Sequence, residues 1–173
     1  RMSQTIAAIA TASANAGIGV IRISGDEAGT VADKVFKAAS GQKVADMQGY
    51  TAAYGQVFDA DGKVDEAVAL RFVAPKSYTG EDVVELSCHG GEYLLRRALR
   101  AVLAAGARMA QAGEFTRRAF LNGKLDLTAA ESVMNLIGAK GSGAHKAALA
   151  ARNGADFSAA QTIKADLISA DAD

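Results

Sequence analysis

The chain has 173 residues, half of them hydrophobic, and it carries 19 basic and 19 acidic side chains. A chain of about 150 residues buries roughly 68–70% of the surface of its unfolded form, so this composition excludes a disordered protein. The longest purely apolar run, residues 101–105, is far shorter than the ~18 residues that suggest a membrane span. The single cysteine, Cys88, cannot form an internal disulfide, and we therefore expect a cytoplasmic protein that does not cross a membrane.

The first half of the chain combines the apolar patterns of strands with that of one helix. Runs rich in Val and Ile predict strands, and apolar residues spaced by three and four predict an amphipathic helix. The predicted elements are strands at residues 5–10 and 19–24, a helix at 26–39, and a hairpin whose strands, 50–58 and 66–73, flank the turn 59–62. Pro75, the only proline, ends the hairpin because it has no N–H to donate to a sheet.

The second half begins with a strand and then becomes helical. The predicted elements are a strand at residues 83–88, a helix ending near 106, long polar connections at 77–82 and 113–124, and a helix at 128–139 opened by a capping box from Thr128 to Glu131. This order favours an α+β fold in which a mixed or antiparallel sheet packs with helices, followed by an all-α segment. The last helical pattern reaches Asp173 without a stop signal, which predicts a fragment cut inside a helical region.

Two glycine motifs do not predict a nucleotide site. Arg22 stands where a dinucleotide-binding loop that began at Gly17 would have its third glycine, and a strand rather than a helix follows. Residues 122–125, Asn-Gly-Lys-Leu, lack the first glycine and the hydroxyl residue of a P-loop. The chain is therefore not expected to bind a nucleoside triphosphate through a P-loop.

Cys88 and His89 are adjacent in the sequence, which suggests a thiol nucleophile and its general base. Neighbours on a strand point to opposite faces, however, so the two side chains cannot make the contact that activation needs. We expect Cys88 to be a small buried side chain and His89 to lie in a turn. The carboxylates show no ligand spacing around the two histidines, so neither a catalytic residue nor a metal site is predicted.

Glu85 stands out because it interrupts an otherwise apolar strand. A carboxylate at such a position is costly unless it is paired or presented to a ligand. An ion pair with an arginine such as Arg22 on a neighbouring strand and a contact with a ligand are both open alternatives.

Four segments, in their order and spacing, point to one known family. They are residues 6–11 with 17–25, which contain Gly-Ile-Gly-Val-Ile-Arg-Ile-Ser-Gly; residues 74–82, Ala-Pro-Lys-Ser-Tyr-Thr-Gly-Glu-Asp; residues 84–91, Val-Glu-Leu-Ser-Cys-His-Gly-Gly; and residues 113–127. Together they closely resemble the N-terminal domain of the tRNA-modification GTPase family MnmE, also called TrmE. The resemblance covers about residues 5–140.

The resemblance implies a chain of two parts. Members of the family carry an α+β domain that dimerises and binds a tetrahydrofolate derivative such as 5-formyltetrahydrofolate, and a helical domain into which a GTPase domain is inserted. Residues 3–118 would then be the folate-binding and dimerisation domain, and residues 119–173 the truncated start of the helical domain. The GTPase domain, with its GTP, Mg²⁺ and K⁺ sites, is not in this chain, which is not expected to be catalytic alone.

The resemblance also implies a role in tRNA modification. Family members act as homodimers with an FAD-containing partner, MnmG (GidA). They modify the wobble uridine, U34, of certain tRNAs to the 5-carboxymethylaminomethyl type. For this chain the implied contribution is folate binding and dimerisation.

Matching the motifs position by position places the folate contacts on Arg22, Glu85 and Lys124. A reduced pterin has an amino group and ring N–H donors on one edge, which a carboxylate such as Glu85 can accept in pairs. Arg22 and Lys124 can bind carbonyl oxygens or the carboxylates of the folate tail. Tyr78 is a fourth candidate, which would cover the ring face, and the alternative for Tyr78 is packing in the core.

The chain departs from the family pattern at two places. Residues 12–16, Ala-Ser-Ala-Asn-Ala, replace a Pro-Pro-Gly-Arg-Gly sequence, which predicts a looser N-terminal loop. Gly138 replaces an Asp and Gly141 a Ser, and each glycine lowers helix stability by about 0.5–1 kcal/mol relative to Ala.

Two other functions stay open. One is a homodimeric scaffold without folate, in which residues 92–124, with seven basic and two acidic side chains, contact tRNA phosphates. The other is a folate-dependent aminomethyltransferase, for which Glu85 is the only candidate acid inside a strand.

Overall fold

The structure, a computed structural model, describes residues 4–12 and 17–138. The chain divides into two compact units, Arg1–Ala110 and Gln111–Asp173. The further helices predicted between residues 139 and 173 lie outside the described residues. Within the described ranges, no helix has both the length and the apolar character needed to cross a membrane.

The first unit is built on a seven-stranded sheet with the order β3-β4-β5-β6-β2-β1-β7. The strands are β1 (Ile6–Ile9), β2 (Gly19–Ser24), β3 (Phe36–Ala38), β4 (Thr51–Asp59), β5 (Gly62–Phe72), β6 (Val83–Cys88) and β7 (Arg108–Met109). All neighbouring strands are antiparallel except β1 and β7, which are parallel. The sheet is therefore mixed, and the α+β fold that the sequence predicts is confirmed.

Helices α1 (Ala28–Val35) and α2 (Glu92–Ala104) enclose the core with one face of this sheet. The sheet side of the core contains Ile21 and Ile23 of β2 and Leu86 of β6, each 0% exposed. Because successive residues of a strand point to opposite faces, these positions leave Arg22 and Glu85 on the other face. The core thus determines which side chains remain available for a ligand.

Two strands of the first unit were not predicted. The predicted helix at 26–39 is wrong at its end, because α1 stops at Val35 and Phe36–Ala38 forms β3. Phe36 and Ala38 are buried while Lys37 between them is exposed, and Phe36 pairs with Val57 at the edge of the sheet. Strand β7 was missed because its two residues are too few for a recognisable alternation.

The described part of the second unit contains α3 (Glu114–Leu121) and α4 (Leu127–Gly138). The prediction of a polar connection at 113–124 is wrong, because most of this segment is α3. Its buried face includes two charged residues, Glu114 and Arg118, and the Glu114 carboxylate accepts a hydrogen bond from Arg118 Nη2 at 3.3 Å. Because charged residues occupy buried positions, the apolar spacing that would predict a helix is interrupted. The cap of α4 also differs from the predicted one, since the Asp126 carboxylate accepts the Ala129 N–H at 2.7 Å.

Candidate ligand-binding site

Arg22 and Glu85 face each other across two central strands. Strands β2 and β6 pair in antiparallel register, and Arg22 lies directly opposite Glu85. The same row of the sheet continues to Ala8 on β1 and Leu70 on β5. Because β2 and β6 each have a neighbouring strand on both sides, the backbone holds the two charged side chains at a defined separation.

The two side chains form a half-buried ion pair. Arg22 Nη2 donates to Glu85 Oε2 at 3.2 Å and Arg22 Nε donates to the same oxygen at 3.3 Å. The side chains remain 25% and 19% exposed, respectively. The ion pair expected as one alternative from the sequence is therefore present, and the pair also stays accessible from solvent.

Tyr78 lies beside this pair. The guanidinium carbon of Arg22 is 5.3 Å from the centre of the Tyr78 ring, within the range of a cation–π contact. Tyr78 is 38% exposed, so it is not a core residue. An aromatic face, a guanidinium and a carboxylate are thus brought together on the open face of the sheet.

Buried hydroxyl groups support the loop that carries Tyr78, and the sequence analysis did not single them out. Ser24 and Thr79 are both 0% exposed, and their hydroxyl oxygens are 2.8 Å apart. Ser24 also donates to Glu81 Oε1 at 2.8 Å. Ser24 shares a strand face with Arg22 because the two are separated by two positions, and this spacing could have drawn attention to it.

Lys124 belongs to the second unit. It is exposed and lies after the end of α3, where its backbone N–H donates to the Ala119 carbonyl at 2.8 Å. Of the four predicted site residues, the structure brings together Arg22, Glu85 and Tyr78. The role of Lys124 stays a prediction.

The basic segment 92–124 carries less available charge than the sequence suggests. On α2, Arg96 pairs with Glu92 and Arg97 pairs with Asp59. On α3, the carboxylate of Glu114, 2% exposed, lies 3.5 Å from Arg117 and 3.3 Å from Arg118. Four of the seven basic residues are thus engaged in ion pairs, which reduces the charge available for phosphates.

Cys88 is buried, as predicted, and its thiol is poorly suited to nucleophilic chemistry. It is 2% exposed, and burial, together with the negative charge of Asp65, raises its pKa to about 12. His89 lies in the connection between β6 and α2, where the Asp65 carboxylate accepts the backbone N–H groups of His89 and Gly90 at 2.9 and 2.7 Å. Within residues 4–12 and 17–138, no cluster of three or more His, Cys, Asp or Glu side chains could hold a metal ion.

The open-face cluster suits a planar polar ligand. The Glu85 carboxylate can accept two hydrogen bonds from adjacent N–H groups, and the Arg22 guanidinium can donate to a carbonyl or carboxylate. The Tyr78 ring offers a face for stacking. The ligand would exchange the Arg22–Glu85 contact, in part, for contacts of its own.

Comparison with known proteins agrees with this architecture. Residues 5–124 match the family described as GTP-binding protein TrmE N-terminus. The chain is 53% identical over 148 residues to a tRNA modification GTPase MnmE of Symbiobacterium thermophilum. The aligned residues cover 85% of this chain and 32% of that protein. It is 46% identical over 168 residues to the MnmE of Geobacter sulfurreducens, which covers 96% of this chain and 36% of that protein.

A third relative is similar to a comparable degree. The MnmE of Clostridioides difficile is 46% identical over 147 residues, 85% of this chain and 32% of its own length. The chain thus spans about a third of the length of these relatives. The family match covers well over half of the chain, and the chain belongs to the TrmE family of tRNA-modification GTPases, whose N-terminal domain it contains.

Proposed function

We propose that this chain binds a reduced folate on the open face of its sheet, through Arg22, Glu85 and Tyr78. The observation that supports this most is the half-buried Arg22–Glu85 pair, accessible on the face opposite the helices and adjacent to an aromatic ring. A structural ion pair needs no aromatic ring beside it, whereas a planar ligand with N–H donors and a carbonyl group can use all three groups.

The chemistry of the three side chains fits the folate head group. Glu85 accepts the amino group and ring N–H on one edge of the pterin, and Arg22 donates to its carbonyl or to a carboxylate of the tail. Tyr78 covers the ring face. Lys124 is proposed, from the family resemblance alone, as a contact for the carboxylates of the tail.

The proposed cofactor is 5-formyltetrahydrofolate or another tetrahydrofolate derivative. When bound, such a cofactor supplies or positions a one-carbon unit. The chain's own contribution is to bind and orient it through Arg22 and Glu85. Residues 3–118 are the proposed folate-binding and dimerisation domain, and residues 119–173 the proposed start of the helical domain.

This chain spans about a third of the length of its relatives, so the activity of the intact protein is inferred from them. The relatives are named tRNA modification GTPases. We propose that the intact protein modifies the wobble uridine of tRNA in the cytoplasm, together with GTP and the FAD protein MnmG. The proposed GTP, Mg²⁺ and K⁺ sites belong to a domain outside this chain.

A homodimer is the proposed assembly. On the open sheet face, Val68, Leu70 and Phe72 of β5 are only half-buried, and Tyr54 of β4, opposite Val68, is 52% exposed. Apolar side chains on a contiguous open surface are typical of an interface. Sedimentation equilibrium should give twice the mass of the chain, and Tyr54→Glu, on the most exposed of these side chains, should return it to the monomer.

Calorimetric titration with 5-formyltetrahydrofolate tests the proposed binding. We expect saturation near one ligand per chain. Glu85→Gln should lower the affinity by at least about tenfold, because the glutamine side chain has no charged carboxylate to accept two N–H groups. Glu27→Gln, on an exposed residue at the start of α1, changes the net charge equally and should bind like the wild type. If a folded wild-type chain binds no folate, the proposal fails and the scaffold alternative gains support.

A further inference from the structure

The loop that carries Tyr78, residues 74–82, is fastened to β2 and to itself. At its base, the Asp82 carboxylate accepts the Ala74 N–H at 2.8 Å, and the Asp82 carbonyl accepts the Gly25 N–H at 2.9 Å. Near its middle, the Ser77 hydroxyl donates to the Glu81 carbonyl. These contacts close the loop on both sides of Tyr78, and we call residues 74–82 the Tyr78 loop.

Ser24 of β2 and two residues of the Tyr78 loop, Thr79 and Glu81, form a closed ring of hydrogen bonds. The Ser24 hydroxyl donates to the Glu81 carboxylate, which as an anion can only accept, so the 2.8 Å contact between Ser24 and Thr79 has Thr79 as its donor. The Thr79 hydroxyl oxygen in turn accepts the Glu81 backbone N–H at 3.2 Å. Each hydroxyl both donates and accepts, and the ring begins and ends at Glu81.

The position of this ring connects it to the proposed binding site. Ser24 follows Arg22 by two residues and so lies on the same face of β2. Thr79 directly follows Tyr78, whose ring lies 5.3 Å from the Arg22 guanidinium carbon. Ser24 and Thr79 are 0% exposed, so their hydroxyl groups would lose hydrogen bonds without gaining water if the loop shifted locally.

We propose that Ser24, Thr79 and Glu81 are positioning residues, whose closed hydrogen-bond ring holds Tyr78 against Arg22 before any ligand arrives. The Tyr78 loop is then a preformed wall of the site and not a lid that closes on the ligand. The predicted effect on folate affinity rests on the proposed function. The predicted position of Tyr78 does not, because it can be measured in the ligand-free protein.

The proposal predicts a specific kinetic signature. A variant that opens the ring lowers the fraction of molecules whose Tyr78 is in place, and the apparent affinity falls by that fraction. Association should therefore slow by about threefold to tenfold, as expected for one or two lost hydrogen bonds, while dissociation is unchanged. Removing the ring contact itself, in Tyr78→Ala, should instead speed dissociation.

The variants separate the hydrogen-bond ring from a general loss of stability. Ser24→Ala and Thr79→Val remove a hydroxyl and should open the ring. Thr79→Ser and Glu81→Gln keep a hydroxyl and an accepting oxygen, respectively, and should behave like the wild type. Thr5→Val is the control for loss of a buried hydroxyl elsewhere, since the Thr5 hydroxyl, on a residue 7% exposed, accepts the Glu27 N–H.

The first measurement uses the ligand-free protein. The Arg22 Nε–Hε resonance in a nitrogen-15 NMR spectrum should be displaced by the Tyr78 ring current in the wild type, and Tyr78→Ala defines the position without the ring. Ser24→Ala and Thr79→Val should move the resonance towards the Tyr78→Ala position, whereas Thr79→Ser, Glu81→Gln and Thr5→Val should not.

The second measurement is stopped-flow binding of 5-formyltetrahydrofolate to the same variants. Slower association with unchanged dissociation in Ser24→Ala supports the proposal. An Arg22 resonance and an association rate both unchanged in Ser24→Ala would overturn it, as would equal effects in Thr5→Val. If the wild type binds no folate, the proposed function fails, but the NMR result still decides whether the ring positions Tyr78.

Discussion

Arg22 and Glu85 occupy directly opposed positions on β2 and β6, and their side chains form an ion pair at 3.2 Å on the sheet face away from the helices. Strand β6 carries Val84 and Leu86 in the core on either side of Glu85. The pair therefore cannot move as a unit without disturbing the packing below it. Its two side chains can, however, rotate towards a ligand, because they are only half-buried.

The coupling energy between the Arg22 and Glu85 side chains can be measured by a double-mutant cycle with Arg22→Met and Glu85→Gln. The half-buried pair should have a coupling energy of about 1 kcal/mol. The Arg96–Glu92 pair, with side chains 59% and 47% exposed, serves as the matched control and should couple by no more than about 0.5 kcal/mol. Urea unfolding of the single and double variants measures both values, and equal coupling in the two pairs would contradict the expected effect of burial.

Gly25 should be intolerant of any side chain. Its φ is +139°, and an added Cβ would lie 2.7 Å from the Thr5 Cα, a backbone atom that cannot rotate away. Gly25→Ala should lower the free energy of unfolding by about 3 kcal/mol or more. Gly41, whose φ of +80° is also positive but whose added Cβ would meet open space, is the control and should lose about 1 kcal/mol in Gly41→Ala. Similar losses in thermal or urea unfolding would show that close contact at Gly25 is unimportant.

The Asp59–Arg97 pair should make stability depend on acid pH. Partial burial raises the pKa of the Asp59 carboxyl. The hydrogen bonds from Arg97 at 2.9 and 3.0 Å, the hydrogen bond from the Asp61 backbone N–H and the positive charge of Arg97 together outweigh this and hold the pKa below its ordinary value of 3.8. A carboxyl whose pKa is lower in the folded state stabilises the fold above pH 3.8, and this contribution is lost as the pH falls through the folded value. The urea midpoint should fall less steeply between about pH 5 and about pH 2 in Asp59→Asn than in the wild type.

Removal of the partner provides the comparison for this experiment. Arg97→Met takes away the hydrogen bonds and the positive charge beside Asp59, so it should flatten the pH dependence as Asp59→Asn does. A slope in Asp59→Asn equal to that of the wild type would show that the hydrogen bonds from Arg97 do not lower the pKa of Asp59.

Cys88 should react slowly with thiol reagents in the folded chain. With a pKa raised to about 12, its thiolate fraction at pH 8 is about one in 10⁴. A disulfide reagent such as dithiobis(nitrobenzoate) should modify the native protein roughly a thousandfold more slowly than the urea-unfolded protein. Comparable rates in the two states would contradict the burial of this side chain.

The main strands could be predicted from the sequence because one face of each is packed into the core. Ile21, Ile23, Leu86 and Cys88 have a period of two that determines their face, and the same alternation places Glu85 opposite the core. The register that aligns Arg22 with Glu85 does not follow from that pattern alone. It results from the way β2, β5 and β6 associate in three dimensions.

Other features had no local signal. The sequence of α3 predicts a polar connection because Glu114 and Arg118 are charged, and their burial depends on the ion pair that they form with each other. Tyr78 could not be placed from the sequence, since its position depends on hydrogen bonds between the loop and Ser24. Contacts with residues distant in the sequence determine where a loop side chain lies, and the hydrophobic periodicity of the sequence does not indicate such contacts.

The most direct measurement is a crystal structure of the chain grown with saturating 5-formyltetrahydrofolate. We expect the pterin edge within hydrogen-bond distance of the Glu85 carboxylate, its face against Tyr78, and Arg22 turned to a ligand oxygen. Folate bound on another surface, or a site in which the Arg22–Glu85 pair is untouched at saturating ligand, would contradict the proposed function.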